Sequence, residues 1–217
     1  MTCTYCQNEC IKQGKRNNAQ CYQCKICRKY QQESYKKLRI SAYQYVLVHR
    51  LNNESCGISS IGRLLNISKS SVQRVITRLF ASIVRPEISE SGESYEMDEL
   101  RTYCGNKKNE CWLIYAINKK TRQIIDFCVG RRTKENIKKV IDKLLILKPK
   151  KIYTDGLNIY QSILEERLHA VYGGSTNRIE RKNLTLRTQI KRLSRRTLCF
   201  TKANDMLERS VGLWIYA

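Results

Sequence analysis

The chain has 217 residues, 41 Lys and Arg against 19 Asp and Glu, and a formal net charge of +22. Positive charge in such excess repels itself unless a polyanion takes it up, which points to nucleic acid as the partner. A peripheral membrane protein would need a basic amphipathic helix with exposed apolar bulk, whereas the basic segments here sit among Asn, Gln, Ser and Thr. No stretch approaches the ~18 apolar residues that a bilayer span requires. The start, MTCTYCQNEC, lacks the apolar core and cleavage site of a secretory signal. A soluble, cytoplasmic protein is expected.

Eleven Cys are present, and six of them crowd into the first 27 residues. In a reducing cytosol that clustering favours metal ligation over a disulfide framework. Cys3 and Cys6, then seventeen residues, then Cys24 and Cys27 have the spacing of a four-thiolate Zn2+ site. Cys21 and Cys24 form an alternative second pair. Cys24 and Cys27 are preferred because Tyr22 then precedes the knuckle and Tyr30 follows it. Residues 1–33 are too poor in branched apolar side chains to build a core, so metal binding would supply the folding energy of this zinc ribbon. Lys12, Lys15 and Arg16 would lie on a basic hairpin between the knuckles.

Residues 34–85 read as helices, with Leu38, Tyr45 and Val46 in the first run. The segment GISSIGRLLNISKSSVQRVITRLF (57–80) predicts a helix-turn-helix. Ile61, Leu64 and Leu65 would make a short first helix, Asn66 would end it in a left-handed conformation, and Ser68 would cap the next. Val72, Val75, Ile76 and Leu79 recur at helical spacing and would pack inward. That leaves Lys69, Ser70, Ser71, Gln73 and Arg74 at the exposed start of a recognition helix, where Gln and Arg can read bases and Ser and Lys can hold phosphates. A plain helical hairpin with a solvated polar face is the bland alternative. PEISESGES (86–94) has linker character.

From Tyr95 the pattern changes to three strands, YEMDELRTYC, CWLIYAIN and QIIDFCV, separated by the polar turns GNKKNE and NKKTR. A helix (133–147), a short strand ending in Asp155 and Gly156, a second helix (157–168), a weak strand HAVYG (169–173) and a basic helix follow. This is the element order of a ribonuclease-H-like mixed sheet. In that fold, carboxylates from the first strand, the fourth strand and a later helix converge, and here the candidates are Asp98, Asp155 and Glu180. Three acids in one partly buried site repel one another unless divalent cations neutralise them, and Mg2+ prefers oxygen ligands. Two ions would serve phosphoryl transfer. Glu96 would share the strand face of Asp98 while Glu99 points away. Asp155 alone could be a turn residue and Glu180 alone a solvated acid.

The stretch NRIERKNLTLRTQIKRLSRR (177–196) carries eight Lys or Arg and one acid, Glu180. Asn183, Arg187 and Lys191 fall on the stripe of Glu180, while Ile179, Leu186, Ile190 and Leu193 form an apolar stripe. Arg181, Asn183, Arg187, Lys191 and Arg192 are the expected DNA-binding residues of this helix.

YEMDELRTYCGNKKNECWLIYAINKKTRQIIDFCVGRR, IYTDG and NRIERKNLTLRTQIKRLSRRTLCFTK together resemble the transposases of bacterial insertion sequence 1 and its relatives. The resemblance runs from the knuckles to near the C-terminus and includes the short interval of 24 residues between Asp155 and Glu180. It implies a multidomain enzyme: zinc finger at 1–33, helix-turn-helix at 34–85, linker at 86–94 and a DDE catalytic domain at 95–217. It further implies binding to the terminal inverted repeats of the element, and DNA cutting and joining with Mg2+ or Mn2+ on Asp98, Asp155 and Glu180. Joining two ends implies at least a homodimer on DNA, and the setting would be the bacterial nucleoid. The chain departs from the family pattern in DMLERSVGLWIY, where Leu207 stands in place of an expected His.

Overall fold

The computed structural model describes residues 1–34, 40–85, 91–171, 176–194, 197, 199 and 201–216. They fall into two compact units, Met1–Ser41 and Ala42–Ala217. Among the described residues no helix is long and apolar enough to cross a membrane.

The first unit is a three-stranded antiparallel sheet of β1 (Cys10–Arg16), β2 (Ala19–Cys24) and β3 (Tyr30–Gln32), in that order. Asn17 and Asn18 join β1 to β2 with φ of 53° and 62°. Two consecutive left-handed residues suit the twist of a tight hairpin, and Asn tolerates them better than branched residues do. Lys12, Lys15 and Arg16 are exposed on this hairpin.

The second unit opens with α1 (Ala42–Asn53), α2 (Ile58–Leu64) and α3 (Lys69–Ala81). Ile61, Val72, Val75 and Ile76 are fully buried, as their spacing predicts, whereas Leu64 is 65% exposed and Leu79 only partly buried. Asn66 takes φ 50° at the turn, and the Ser68 hydroxyl accepts the Ser71 amide at 3.1 Å to cap α3. The turn is tight: a Cβ on Gly62 would stand 2.9 Å from the Ile67 carbonyl oxygen. Leu38, expected in the first helical run, lies outside the described residues, as do 86–90 of the expected linker and 172–173 of the expected weak strand.

The sheet of this unit contains β4 (Ser94–Tyr103), β5 (Glu110–Asn118), β6 (Ile124–Gly130), β7 (Lys151–Tyr153) and β8 (His169–Ala170), in the order β6-β5-β4-β7-β8. The first three form an antiparallel meander, and β7 and β8 run parallel to β4. Such a mixed five-stranded sheet is consistent with the ribonuclease-H-like order expected from sequence. Alternate residues of β5 serve the two faces. Leu113, Tyr115 and Ile117 meet α6 (Asn177–Gln189) and α7 (Asn204–Tyr216), while Ile114 and Ala116 meet α4 (Lys134–Ile146) and α5 (Asn158–Gln161). The expected helix at 157–168 is therefore one short turn. The Ser162 hydroxyl bonds back to the Ile159 carbonyl at 2.8 Å, and the chain leaves the helix there.

The helices expected to form a domain of their own share this compact unit with the sheet. Asn52 donates to the Ser210 carbonyl at 3.1 Å, Arg209 donates to Thr77 at 2.9 Å, and Gly212 lets Phe80 approach where a Cβ would stand 2.3 Å from its ring. Leu207, in place of the expected His, is 1% exposed within the core.

Candidate catalytic and metal sites

In the first unit Cys3, Cys6, Cys24 and Cys27 bring their sulfurs within 4.8 Å of one another. Cys3 and Cys27 lie 3.6 Å apart and Cys6 and Cys24 lie 3.4 Å apart. Four sulfurs at ~2.3 Å from one tetrahedral ion would be separated by about 3.8 Å, so the donor set fits a thiolate-bound cation such as Zn2+. The knuckles are built alike. The Gln7 amide bonds to the Cys3 carbonyl at 3.0 Å and the Arg28 amide to the Cys24 carbonyl at 3.1 Å, and both Gln7 and Arg28 have positive φ. Hydrogen bonding from Asn8 lowers the Cys6 thiol to about 6, and the Tyr5 amide lowers Cys3. Cys27, despite a lowering backbone hydrogen bond from Lys29, is pushed up to about 12 by burial and the other three sulfurs, so the four thiols hold their protons unequally. Cys21 is outside the cluster and accepts from Gln32 at 3.4 Å. Sequence reasoning missed Gln31. Its buried amide accepts the Thr4 amide at 2.9 Å and donates to the Thr2 carbonyl at 2.8 Å, clamping the first knuckle.

In the second unit, the parallel pairing of β4 with β7 ends at Glu96 and Tyr153, and two residues beyond it on each chain stand Asp98 and Asp155. Carboxylate oxygens of Asp98, Glu99 and Asp155 lie within 4.8 Å of one another. Asp98 accepts the Glu99 amide at 2.7 Å and the Asn183 side-chain amide at 2.5 Å. Burial pushes its carboxyl above the ordinary range, and the charges of Asp155 and Glu180 add to the effect. Asp155 is 47% exposed and also accepts the Leu157 amide at 3.1 Å, so its turn role and its place in the cluster coexist. Glu180 lies outside the 4.8 Å group, on the exposed side of the first turn of α6, with the Thr176 hydroxyl donating to it at 3.1 Å. All-oxygen donors with a surplus of negative charge fit a hard divalent cation.

Glu99 joins the cluster although its position on β4 directs it to the opposite face from Asp98. It packs on the α5 side, where Tyr160 donates to it at 2.6 Å and Arg132 at 3.1 Å. Burial raises its carboxyl, opposed by Tyr160 and Arg132. Arg132 also reaches Asp155 at 3.7 Å and stacks 4.9 Å from the Trp112 ring. Nothing in the local sequence marks Arg132 or Tyr160, because their role arises only where loop and helix meet the strand edge. Glu96, in contrast, was visible in the alternation of β4. It is fully buried and accepts the Ile179 amide at 2.9 Å and Arg178 at 3.4 Å.

The apolar stripe of α6 is as expected, with Ile179, Leu186, Ile190 and Leu193 buried. Its polar residues divide. Arg181 is exposed and lines a cleft of about 620 Å3 with Arg122, Asn177, Arg178, Lys182 and Thr185. Lys191 is also exposed. Asn183 faces Asp98 and accepts from the Tyr115 hydroxyl at 2.8 Å. Arg187 donates to the carbonyls of Leu193 at 2.6 Å and Arg101 at 3.0 Å. Arg192, expected on the surface, is 3% exposed and donates to the Cys56 carbonyl at 2.9 Å, because the chain leaves α6 at Ile190 and turns it inward. On α3, Lys69, Ser70, Gln73 and Arg74 are exposed and Ser71 is partly buried.

The model of the IS1 transposase family matches residues 94–217, the stretch that carries both carboxylate strands and α6. The chain belongs to the IS1 transposase family. The insertion element iso-IS1n protein InsB of Shigella dysenteriae is 35% identical to this transposase over 120 residues, which cover 55% of this chain and 92% of the relative. The insertion element IS1 protein InsB of Shigella flexneri is 33% identical over the same extent. Among solved structures, a chain of the simian T-cell lymphotropic virus intasome in complex with PP2A regulatory subunit B56 gamma aligns with 16% identity and a TM-score of 0.43. It covers 77% of the transposase and 67% of that chain, too slight a likeness to bear on the fold.

Proposed function

We propose that this transposase binds the terminal inverted repeats of an insertion sequence and cuts and joins DNA at a ribonuclease-H-like site made by Asp98, Asp155 and Glu180. The observation that carries the reading is the meeting of Asp98, on β4, with Asp155, just past the end of the parallel neighbour β7, together with a helix that bears Glu180 and lines a basic cleft. Two Mg2+ or Mn2+ ions held by these acids would supply activation of the attacking oxygen and stabilisation of the leaving one. The protein's own groups hold and orient the substrate. Arg181, with Arg122, Arg178 and Lys182 beside it in the cleft, and the exposed Lys191 beyond the end of α6 neutralise phosphates, while Asn183 and Tyr115 fix the Asp98 carboxylate. Arg187 supports this surface from below by pinning the end of α6 to β4.

End recognition is assigned to a helix-turn-helix module in which Lys69, Ser70, Ser71, Gln73 and Arg74 of α3 enter the major groove. The four Cys hold structural Zn2+ in a ribbon domain that adds contacts from Lys12, Lys15 and Arg16. Joining two ends calls for a homodimer or larger assembly on DNA. The test is strand transfer by the purified protein on end-bearing DNA with Mg2+. Joined product that is lost in Asp155→Asn is expected, and full activity in that variant would refute the assignment. A DNA-binding regulator would instead bind ends without joining them. A hybrid-cleaving nuclease would cut RNA–DNA hybrids that carry no element ends.

A further inference from the structure

A fully buried carboxylate needs a structural cause, since its desolvation is costly unless donors meet it. Glu96 is 0% exposed and accepts two such donors, the Ile179 amide at 2.9 Å and the Arg178 guanidinium at 3.4 Å. Both belong to the first turn of α6, whose amides have no partners within the helix. The residue preceding the helix, Thr176, makes no side-chain cap. Its hydroxyl donates instead to the Glu180 carboxylate at 3.1 Å. The cap that α6 lacks locally is therefore supplied by β4, and a carboxylate at a helix N-terminus also meets a favourable dipole.

The two ends of this contact are next to the proposed catalytic acids. Glu96 precedes Asp98 by two residues on the same strand face, and Ile179 immediately precedes Glu180. One turn further on, Asn183 donates to Asp98 at 2.5 Å, with its own amide oxygen taken by Tyr115 at 2.8 Å. The Ile179 and Asn183 contacts thus bracket Glu180 and tie both sides of it to the strand bearing Asp98. We propose that Glu96 is a positioning residue, which seats the first turn of α6 so that Glu180 completes the cation site begun by Asp98 and Asp155. This rests on the reading that those three acids hold cations.

The test is Mn2+ binding to the zinc-saturated full chain without DNA, read by calorimetry or electron paramagnetic resonance, with hydrogen exchange of the Ile179 amide as a second readout. Loss of an outer partner of a metal ligand typically weakens affinity about 10- to 100-fold, and a drop in that range is expected for Glu96→Ala, with fast exchange at Ile179. Glu96→Gln keeps an oxygen that accepts the Ile179 amide, so it should bind Mn2+ within about threefold of wild type and keep that amide protected. If Glu96→Ala binds as wild type while Asp155→Asn loses Mn2+, the positioning role is overturned and the cation site stands. If Asp155→Asn also binds as wild type, the cation-site reading itself has failed. Should Glu96→Ala not fold, Glu96→Asp decides: its shorter side chain withdraws the carboxylate from the Ile179 amide, so weakened Mn2+ binding with fast exchange at Ile179 supports positioning, and wild-type binding despite fast exchange overturns it.

Discussion

Arg132→Met isolates the electrostatics at the edge of β4. In the wild type, the Glu99 side chain is 1% exposed, with Arg132 at 3.1 Å and Tyr160 at 2.6 Å as its donors. Stripping one partner from a buried ion pair costs about 3–5 kcal/mol when the remaining charge has no relief. Here Arg132 is itself 30% exposed and Tyr160 stays in place, so about 2 kcal/mol is expected at pH 8. In a unit of this size that lowers the melting temperature by roughly 4–8 °C. Loss of stacking on Trp112 contributes about 0.5–1 kcal/mol of this and does not depend on pH.

The charge part does depend on pH. Burial already holds the Glu99 carboxyl above its ordinary value of 4.5, and removing Arg132 raises it further. A folded state that binds the proton more tightly loses stability as pH rises through that raised range and regains it on acidification. The penalty of Arg132→Met should therefore shrink as pH falls from 8 toward the carboxylate range. In a Glu99→Gln background, where no charge is stranded, it should fall to about 1 kcal/mol or less at every pH. Tryptophan fluorescence can follow the unfolding, since Trp112 and Trp214 both lie in the second unit. An equal loss at both pH values, or one unchanged by Glu99→Gln, would refute this reasoning.

Three further outcomes follow from the same geometry. Cys24→Ser should abolish zinc binding measured by atomic spectroscopy and Cys21→Ser should retain it, while chelation should unfold the first unit and leave the melting of Ala42–Ala217 in place. Ser68→Ala removes the cap of α3 and should cost about 1 kcal/mol in chemical denaturation, with Ser68→Asp recovering most of it. Burial holds the His169 imidazole below its ordinary value of 6.5, so its neutral form contributes stability that is lost as pH falls through 6.5 toward the folded value. Because the chain has only two His, the titrating resonance can be assigned with His169→Gln, and a midpoint above 6.5 would contradict the buried environment.

Much of this architecture was legible because local rules and packing agree. The strand runs of β4 and β5 between their polar turns, the cap at Ser68 and the left-handed Asn66 follow from residue type and spacing. So do the two CxxC turns, whose sulfurs meet as their spacing requires. Legibility failed where a residue's environment comes from distant chain. Arg192 carries the same charge as Arg181 and falls in the same basic run, yet Arg181 stays on the exposed face of α6 while the break at Ile190 turns Arg192 inward. Asn183 looks like a surface polar residue until β4 and β5 place Asp98 and Tyr115 against it. Glu99 points away from Asp98 by alternation, but β7 ends opposite Glu96, and carboxylates from both faces of β4 converge with Asp155 just beyond that end.

The central claim is that Asp98, Asp155 and Glu180 act as one catalytic set on DNA. The most direct measurement compares strand transfer by Asp98→Asn, Asp155→Asn and Glu180→Gln on end-bearing DNA in Mg2+, with end binding measured alongside. Each substitution should leave end binding within a few-fold of wild type and cut joining by about 100-fold or more. Wild-type joining in any one of the three would contradict the account.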